Sequence, residues 1–246
     1  MTDAEHGNVS PPEPWGYWAT GGWVIVALLA SLIFSLVVLL AWDPAALTDA
    51  TDLLKNGPLI SITGVISAVA EIGVLALAAR LADWRPSAYL ALILPSRHAV
   101  MIAFGYLIPF LLAYDALTWL LGKDIVTSFQ IDTYRSAKAQ GGVLLLWLAF
   151  VVAAPLSEEI IFRGFLFRGW VRSRRTLWPG ILAISAFFAA LHVQYDLFGI
   201  VQVFCIGVVL GWTRWWSGST VLTILMHATI NFWATLQSVV KVEWFS

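Results

Sequence analysis

Residues 22–41, GWVIVALLASLIFSLVVLLA, form a run without one charged side chain. A helix needs about 20 apolar residues to cross a hydrocarbon core about 30 Å thick. A run of that length and purity has few soluble folds open to it, and similar runs recur along the chain. Further candidates lie at 59–79, with Glu71 inside, at 98–121, with Pro109 and Asp115 inside, and at 142–168. The last three are a short one at 178–193, then 198–213 and 219–240. The whole chain is 60% hydrophobic and only 12% charged over 246 residues. Soluble domains carry about 25% charge, so this surface is too poor in charge to face water. The predicted fold is therefore all-α: a polytopic transmembrane helical bundle of about seven spans. A soluble enzyme, a disordered regulator and a nucleic-acid binder are all disfavoured. The net charge of −1 supplies no bulk field to recruit a polyanion. The one cysteine, Cys205, lies in an apolar run and rules out both a disulfide framework and a cysteine-based zinc cluster.

The first 18 residues are polar, acidic and proline-rich, without the basic start of a secretory signal. They read as a tail preceding one transmembrane domain over 19–246, with no internal repeat. Tryptophans fall near the proposed span ends, among them Trp23, Trp42, Trp84, Trp119, Trp170, Trp178, Trp212 and Trp215. Amphipathic rings prefer headgroup depth, so their positions support the same spans independently. Basic residues set the orientation. The second connection carries Arg80, Arg85 and Arg97, the fourth Arg168, Arg172, Arg174 and Arg175, and the sixth Arg214. The first holds Lys55 among Asp43, Asp49 and Asp52. The positive-inside rule puts the N-terminus and the even connections in the cytoplasm of a multi-pass cell-membrane protein. The third connection, with Lys123, Arg135 and Lys138, is the exception.

Ionisable groups at membrane depth are costly and mark function by default. Three of them crowd the stretch SEEIIFRG. Glu158 and Glu159 are adjacent, about 100° apart on a helix. Arg163 follows Glu159 by four residues, the favourable order for an ion pair within one helix. That pairing leaves Glu158 as the carboxylate available for acid–base work. In the next span Phe188 and His192 share a face, as do His227 and Asn231 in the last. Taken singly, each feature has a plain reading: interfacial charge, a packing histidine, a polar bond between helices. Together they supply a base, histidines and an amide, the groups that activate water and stabilise an oxyanion. Glu71 and Asp115 remain as isolated carboxylates within spans.

These elements resemble the CPBP family, the CAAX prenyl protease type II and bacteriocin-processing membrane proteins. Its pattern is EExxxR, FxxxH and HxxxN or HxxxD on successive helices. Here it reads Glu158-Glu159 to Arg163, followed by Gly164, then Phe188 to His192, then His227 to Asn231. The resemblance covers 142–240 and implies a catalytic core there. It implies an intramembrane endopeptidase in which Glu158 activates water with His192, while His227 and Asn231 stabilise the oxyanion. Glu159, Arg163 and Phe188 would support the site. A rival version would use a divalent metal, zinc, on Glu158, His192 and His227. The HExxH spacing of common zinc peptidases is missing, and the metal-free version is preferred. Expected partners are membrane lipids and a peptide or protein substrate entering from the bilayer. Two other classes compete: a non-catalytic immunity or assembly factor of the same fold, and a proton-coupled transporter. The intact motifs weigh against the first, and the lack of inverted repeats against the second.

Overall fold

A computed structural model describes residues 12–42 and 56–245. The first connection, with Asp43, Asp49, Asp52 and Lys55, and residues 1–11 of the tail lie outside them. The described residues are helical, with no strand among them. Helix α1 spans Tyr17–Trp42 and α2 Gly57–Leu81. A single turn at Pro86–Tyr89 leads to α3, Arg97–Leu120. A short helix, α4, covers Ser128–Ala139. Helix α5 runs unbroken over Val143–Trp170, followed by α6 at Arg174–Ala190, α7 at Leu197–Ser217 and α8 at Thr220–Trp244.

The starts of these helices were written into the chain. Asn56, Ser96, Asp196 and Ser219 each accept a hydrogen bond from a first-turn amide. Thr127 with Gln130, and Ser173 with Thr176, close reciprocal capping boxes. Such side chains satisfy amides that have no partner within the helix. Between α7 and α8 the chain turns on Gly218, at φ 69°. That left-handed conformation suits glycine.

Five helices are long and apolar enough to cross a membrane: α1, α2, α3, α5 and α7. This is the build of a multi-pass membrane protein. The other two expected spans are helices as well. One, α6, is only 17 residues long, about 26 Å at 1.5 Å per residue. The other, α8, has the length, 25 residues, but its sequence mixes in His227, Asn231, Gln237 and Lys241. His227 is buried, Asn231 and Gln237 bond to neighbouring helices, and Lys241 is exposed at the helix end, so a helix can lie inside a bundle without meeting a hydropathy criterion.

Outermost is α1, which buries only Thr20, Val24 and Ala27 and packs on α2. Leu32 and Ile33 on it are more than 60% exposed, as a lipid-facing surface requires. The main core forms where α1, α2, α5 and α6 meet, around Leu75, Tyr89, Phe162, Phe165 and Ile181. Helices α6 and α7 approach closely because Gly207 has no side chain: a Cβ there would sit 2.9 Å from the Ser185 Cβ. Small residues at such crossings are how helices pack when lipid removes the hydrophobic drive. The ends of α2, α5 and α7 lie at one level with the starts of α3, α6 and α8. Thr220 Oγ1 donates to Leu90 O at 2.7 Å, and the Arg168 guanidinium donates to the carbonyls of Ala88 and Tyr89. The cluster Arg80, Arg85, Arg97, Arg168, Arg172, Arg174, Arg175 and Arg214 falls at this end.

Candidate active site

The frame of the site is α5, and its local geometry starts from a proline. Along Leu148–Ala153 and again along Ile160–Leu166 the helix widens to a π-type turn, with an ordinary α-helical stretch, Ala154–Glu159, between. In the first widened turn the amide of Ala154 bonds to Ala149 O, five residues back. The next bond in that register would run from residue 155 to Phe150 O. Residue 155 is proline, which has no N–H to give. Asn231 on α8 supplies the missing donor, its Nδ2 reaching Phe150 O at 2.8 Å. Widened turns of this kind recur at functional sites. Here one of them ties α8 to α5 immediately before the paired glutamates.

Glu159 and Arg163 form the expected ion pair, Nη1 to Oε1 at 2.7 Å, with both side chains wholly buried. Arg163 also donates from Nη2 to Gly207 O on α7 at 3.0 Å. Its guanidinium lies 4.8 Å from the centre of the Phe188 ring. The same Glu159 oxygen is met by His227 Nδ1 at 2.9 Å. A carboxylate held by arginine is ionised and can only accept, so Nδ1 carries the proton and Nε2 is left free. His227 Nε2 points to Glu158 Oε2 at 3.8 Å, too far for a direct hydrogen bond. Glu158 Oε2 is buried and has no hydrogen-bond partner.

His192 is placed differently from its expected position inside a span. The sixth helix ends at Ala190, and His192 sits in the turn that follows. Its Nδ1 lies 2.8 Å from Phe188 O. A carbonyl there can only accept, so the ring caps the helix C-terminus from Nδ1 and leaves Nε2 as an acceptor. Phe188 touches both histidines, with ring centres 4.7 Å from His192 and 5.8 Å from His227.

Glu158, Phe188, His192, His227 and Asn231 all line one cavity of about 280 Å³. Glu159 and Arg163 do not line it; they stand behind it. Some lining residues escaped the sequence reading. Tyr195 stacks on His192 with ring centres 6.0 Å apart. Burial pushes its phenol up from the ordinary value, and the negative charge of Glu158 adds to the push. Only its spacing of three from His192 hinted at this. Asp115, isolated in the sequence, accepts from Trp233 Nε1 at 2.9 Å and Gln237 Nε2 at 2.7 Å, and faces the same cavity. The other isolated carboxylate, Glu71, is buried outside the cavity lining, beside Ser31 and Ser157. Arg214 donates from Nε to Arg163 O at 3.0 Å and so backs the buried ion pair; in the sequence it read only as a mark of orientation.

Lys123 binds Asp196 at 3.2 Å across the cavity end of the bundle. The Gly199 amide, together with Lys123, holds the Asp196 carboxyl below its usual range. A zinc site would draw on Glu158, His192 and His227. Among the described residues no group of three or more His, Cys, Asp or Glu stands close enough together to hold a metal ion.

Residues 140–233 match the family model described as type II CAAX prenyl endopeptidase Rce1-like. That stretch carries all three motifs, and it is similar to the family that they resemble. A curated protein of Escherichia coli, named as an uncharacterized 24.3 kDa protein, is 33% identical over 114 residues. That alignment takes in 44% of this chain and 52% of the relative, so the chain spans about half the length of the relative that it matches. No solved structure matches the chain.

Proposed function

We propose that this protein is an intramembrane endopeptidase that cuts a membrane-associated or lipidated peptide with a water activated by Glu158. At family level the match over 140–233 supports a CAAX-type intramembrane protease. The observation that carries the finer reading is the meeting of three unspent acceptors. Glu158 Oε2, His192 Nε2 and His227 Nε2 serve one cavity, and both histidines have their Nδ1 committed elsewhere.

In this mechanism Glu158 and His192 hold a water between them. Glu158 takes its proton, the hydroxide attacks the scissile carbonyl carbon, and the negative charge collects on the carbonyl oxygen. His227 Nε2, an acceptor in the resting site, takes a proton from solvent and then donates to that oxygen. The Glu159 carboxylate at its other nitrogen balances the added charge. Asn231 spends one Nδ2 hydrogen on Phe150 and keeps the second for the oxyanion. Collapse of the intermediate breaks the C–N bond, and Glu158 returns its proton to the leaving amine. A positioned base contributes about 10²–10⁴ in rate and a single oxyanion donor about 10²–10³.

The test compares membranes carrying the unmodified chain with Glu158→Gln and His192→Ala variants, scored on peptides that accumulate uncut. A loss of about 100-fold or more in cleavage at unchanged folded yield is expected for Glu158→Gln. Full activity in both variants would sink the proposal. Metal analysis of the purified protein with a chelator titration is expected to leave activity unchanged. Activity that vanishes with the chelator and returns with zinc would replace this mechanism by the metal one.

A further inference from the structure

At the arginine-rich end of the bundle, away from the cavity, a second cleft of about 540 Å³ is lined by Arg168, Arg172 and Arg214. Phe167, Val171 and Trp215 form its apolar wall, and among the described residues Glu13 is the one carboxylate on its lining. Among the described residues none of the three arginines lies within ion-pair distance of a carboxylate. Each guanidinium is instead held by its back. Arg168 donates from Nε and Nη2 to the carbonyls of Tyr89 and Ala88 and lies over the Trp84 ring. Arg172 donates from Nε and Nη2 to Gly169 O and Trp15 O. Arg214 uses only Nε, on Arg163 O and Thr220 Oγ1, and lies over the Phe167 ring.

Neutral carbonyls and aromatic faces fix these groups without cancelling their charge. Among the described residues, both Nη atoms of Arg214, and one Nη on each of the other two, have no hydrogen-bond acceptor. Three like charges against one carboxylate are costly to assemble unless an anion joins them. Planar guanidinium forks suit phosphate oxygens. The cleft also sits at headgroup depth: Trp170 ends α5, Trp215 lines the cleft, and Trp178 stacks on Trp212 beside it at 5.5 Å. By the positive-inside rule this end faces the leaflet that carries anionic lipid.

We infer that this cleft binds the phosphate of an anionic phospholipid headgroup. The inference does not depend on the peptidase reading, since its residues are not those of the catalytic cavity. Native mass spectrometry of the detergent-purified chain, titrated with phosphatidylglycerol or phosphatidylcholine, tests it. One phosphatidylglycerol is expected to stay bound where phosphatidylcholine is lost. Arg172→Gln is expected to weaken that binding about fivefold, and Arg172→Lys by less. Arg174→Gln, which removes the same charge from an exposed neighbour outside the cleft, is expected to change it little. Equal retention of the two lipids, or equal weakening by Arg172→Gln and Arg174→Gln, would overturn the inference. Displacement of the lipid by millimolar inorganic phosphate would also overturn it, by assigning the cleft to a free anion. The lipid comparison on the unmodified chain decides the matter even where a variant fails to fold.

Discussion

The two adjacent glutamates separate into different tasks because α5 points them at different surroundings. Glu159 is wholly buried, between Arg163 and His227. Glu158 keeps one unpartnered oxygen and lines the cavity. Substituting them should therefore do different things. Glu159→Gln leaves the Arg163 cation buried without its counter-charge, and a destabilisation of about 3–5 kcal/mol is expected, read by thermal unfolding in detergent. Glu158→Gln should leave that unfolding curve in place while cleavage falls. Equal destabilisation by the two would contradict the division. Asn231→Ala should cost about 1–3 kcal/mol, because Phe150 O then lacks any donor. Hydrogen exchange along the first widened turn of α5 would show it, as faster exchange around 148–154 than in the unmodified chain.

Among the elements, α4 and the connection before α7 close the cavity end of the bundle. Tyr134 donates to Glu243 at 2.9 Å, and Lys138 binds the same carboxylate at 2.7 Å, so α4 is clamped to the end of α8. Burial pushes the Tyr134 phenol up, and its carboxylate acceptor adds to that. Asp196 caps α7 and binds Lys123. Its carboxyl titrates below the ordinary value of 3.8, so the folded state holds its proton less tightly than the unfolded chain does. The stabilisation is therefore complete above that ordinary value and is lost as pH falls through the lower folded one. On acidification, amides at the start of α7 are expected to lose protection, measured against their intrinsic exchange rates, in the unmodified chain. Asp196→Asn should flatten that dependence over the same window. An unchanged acid response in the variant would remove Asp196 from the account.

For the molecule as a whole, the distribution of charge predicts an orientation. The arginine-rich end should face the cytoplasm, and the end closed by Lys123 and Asp196 the opposite side. In a Cys205→Ala background, a membrane-impermeant maleimide is expected to label Asp124→Cys in intact cells. Ser87→Cys, exposed at the arginine-rich end, should be labelled only after permeabilisation. The reverse pattern would invert the molecule. The cavity at Glu158, lined also by Thr127, Gln130 and Tyr195, lies toward the Asp124 end, so the same experiment tells which compartment it faces.

Residues alone determined a good deal of this. Length and apolarity located the long helices to within a few residues, though not α4, because a chain in hydrocarbon must satisfy its amides internally and has little choice but the helix. Spacing of four residues brought out the Glu159–Arg163 pair and the shared face of Phe188 and His192, since those relations are closed within one turn. Only the tertiary structure decided what crosses between helices. The second bond of Glu159 comes from α8, Asn231 serves a carbonyl that Pro155 leaves open, and Asp115 is held by Trp233 and Gln237. Those contacts depend on crossing angles and on a close approach at Gly207, which no periodicity along one helix records. His192 fell outside its helix for a related reason: its own ring caps the last turn, an end effect that a hydropathy window passes over.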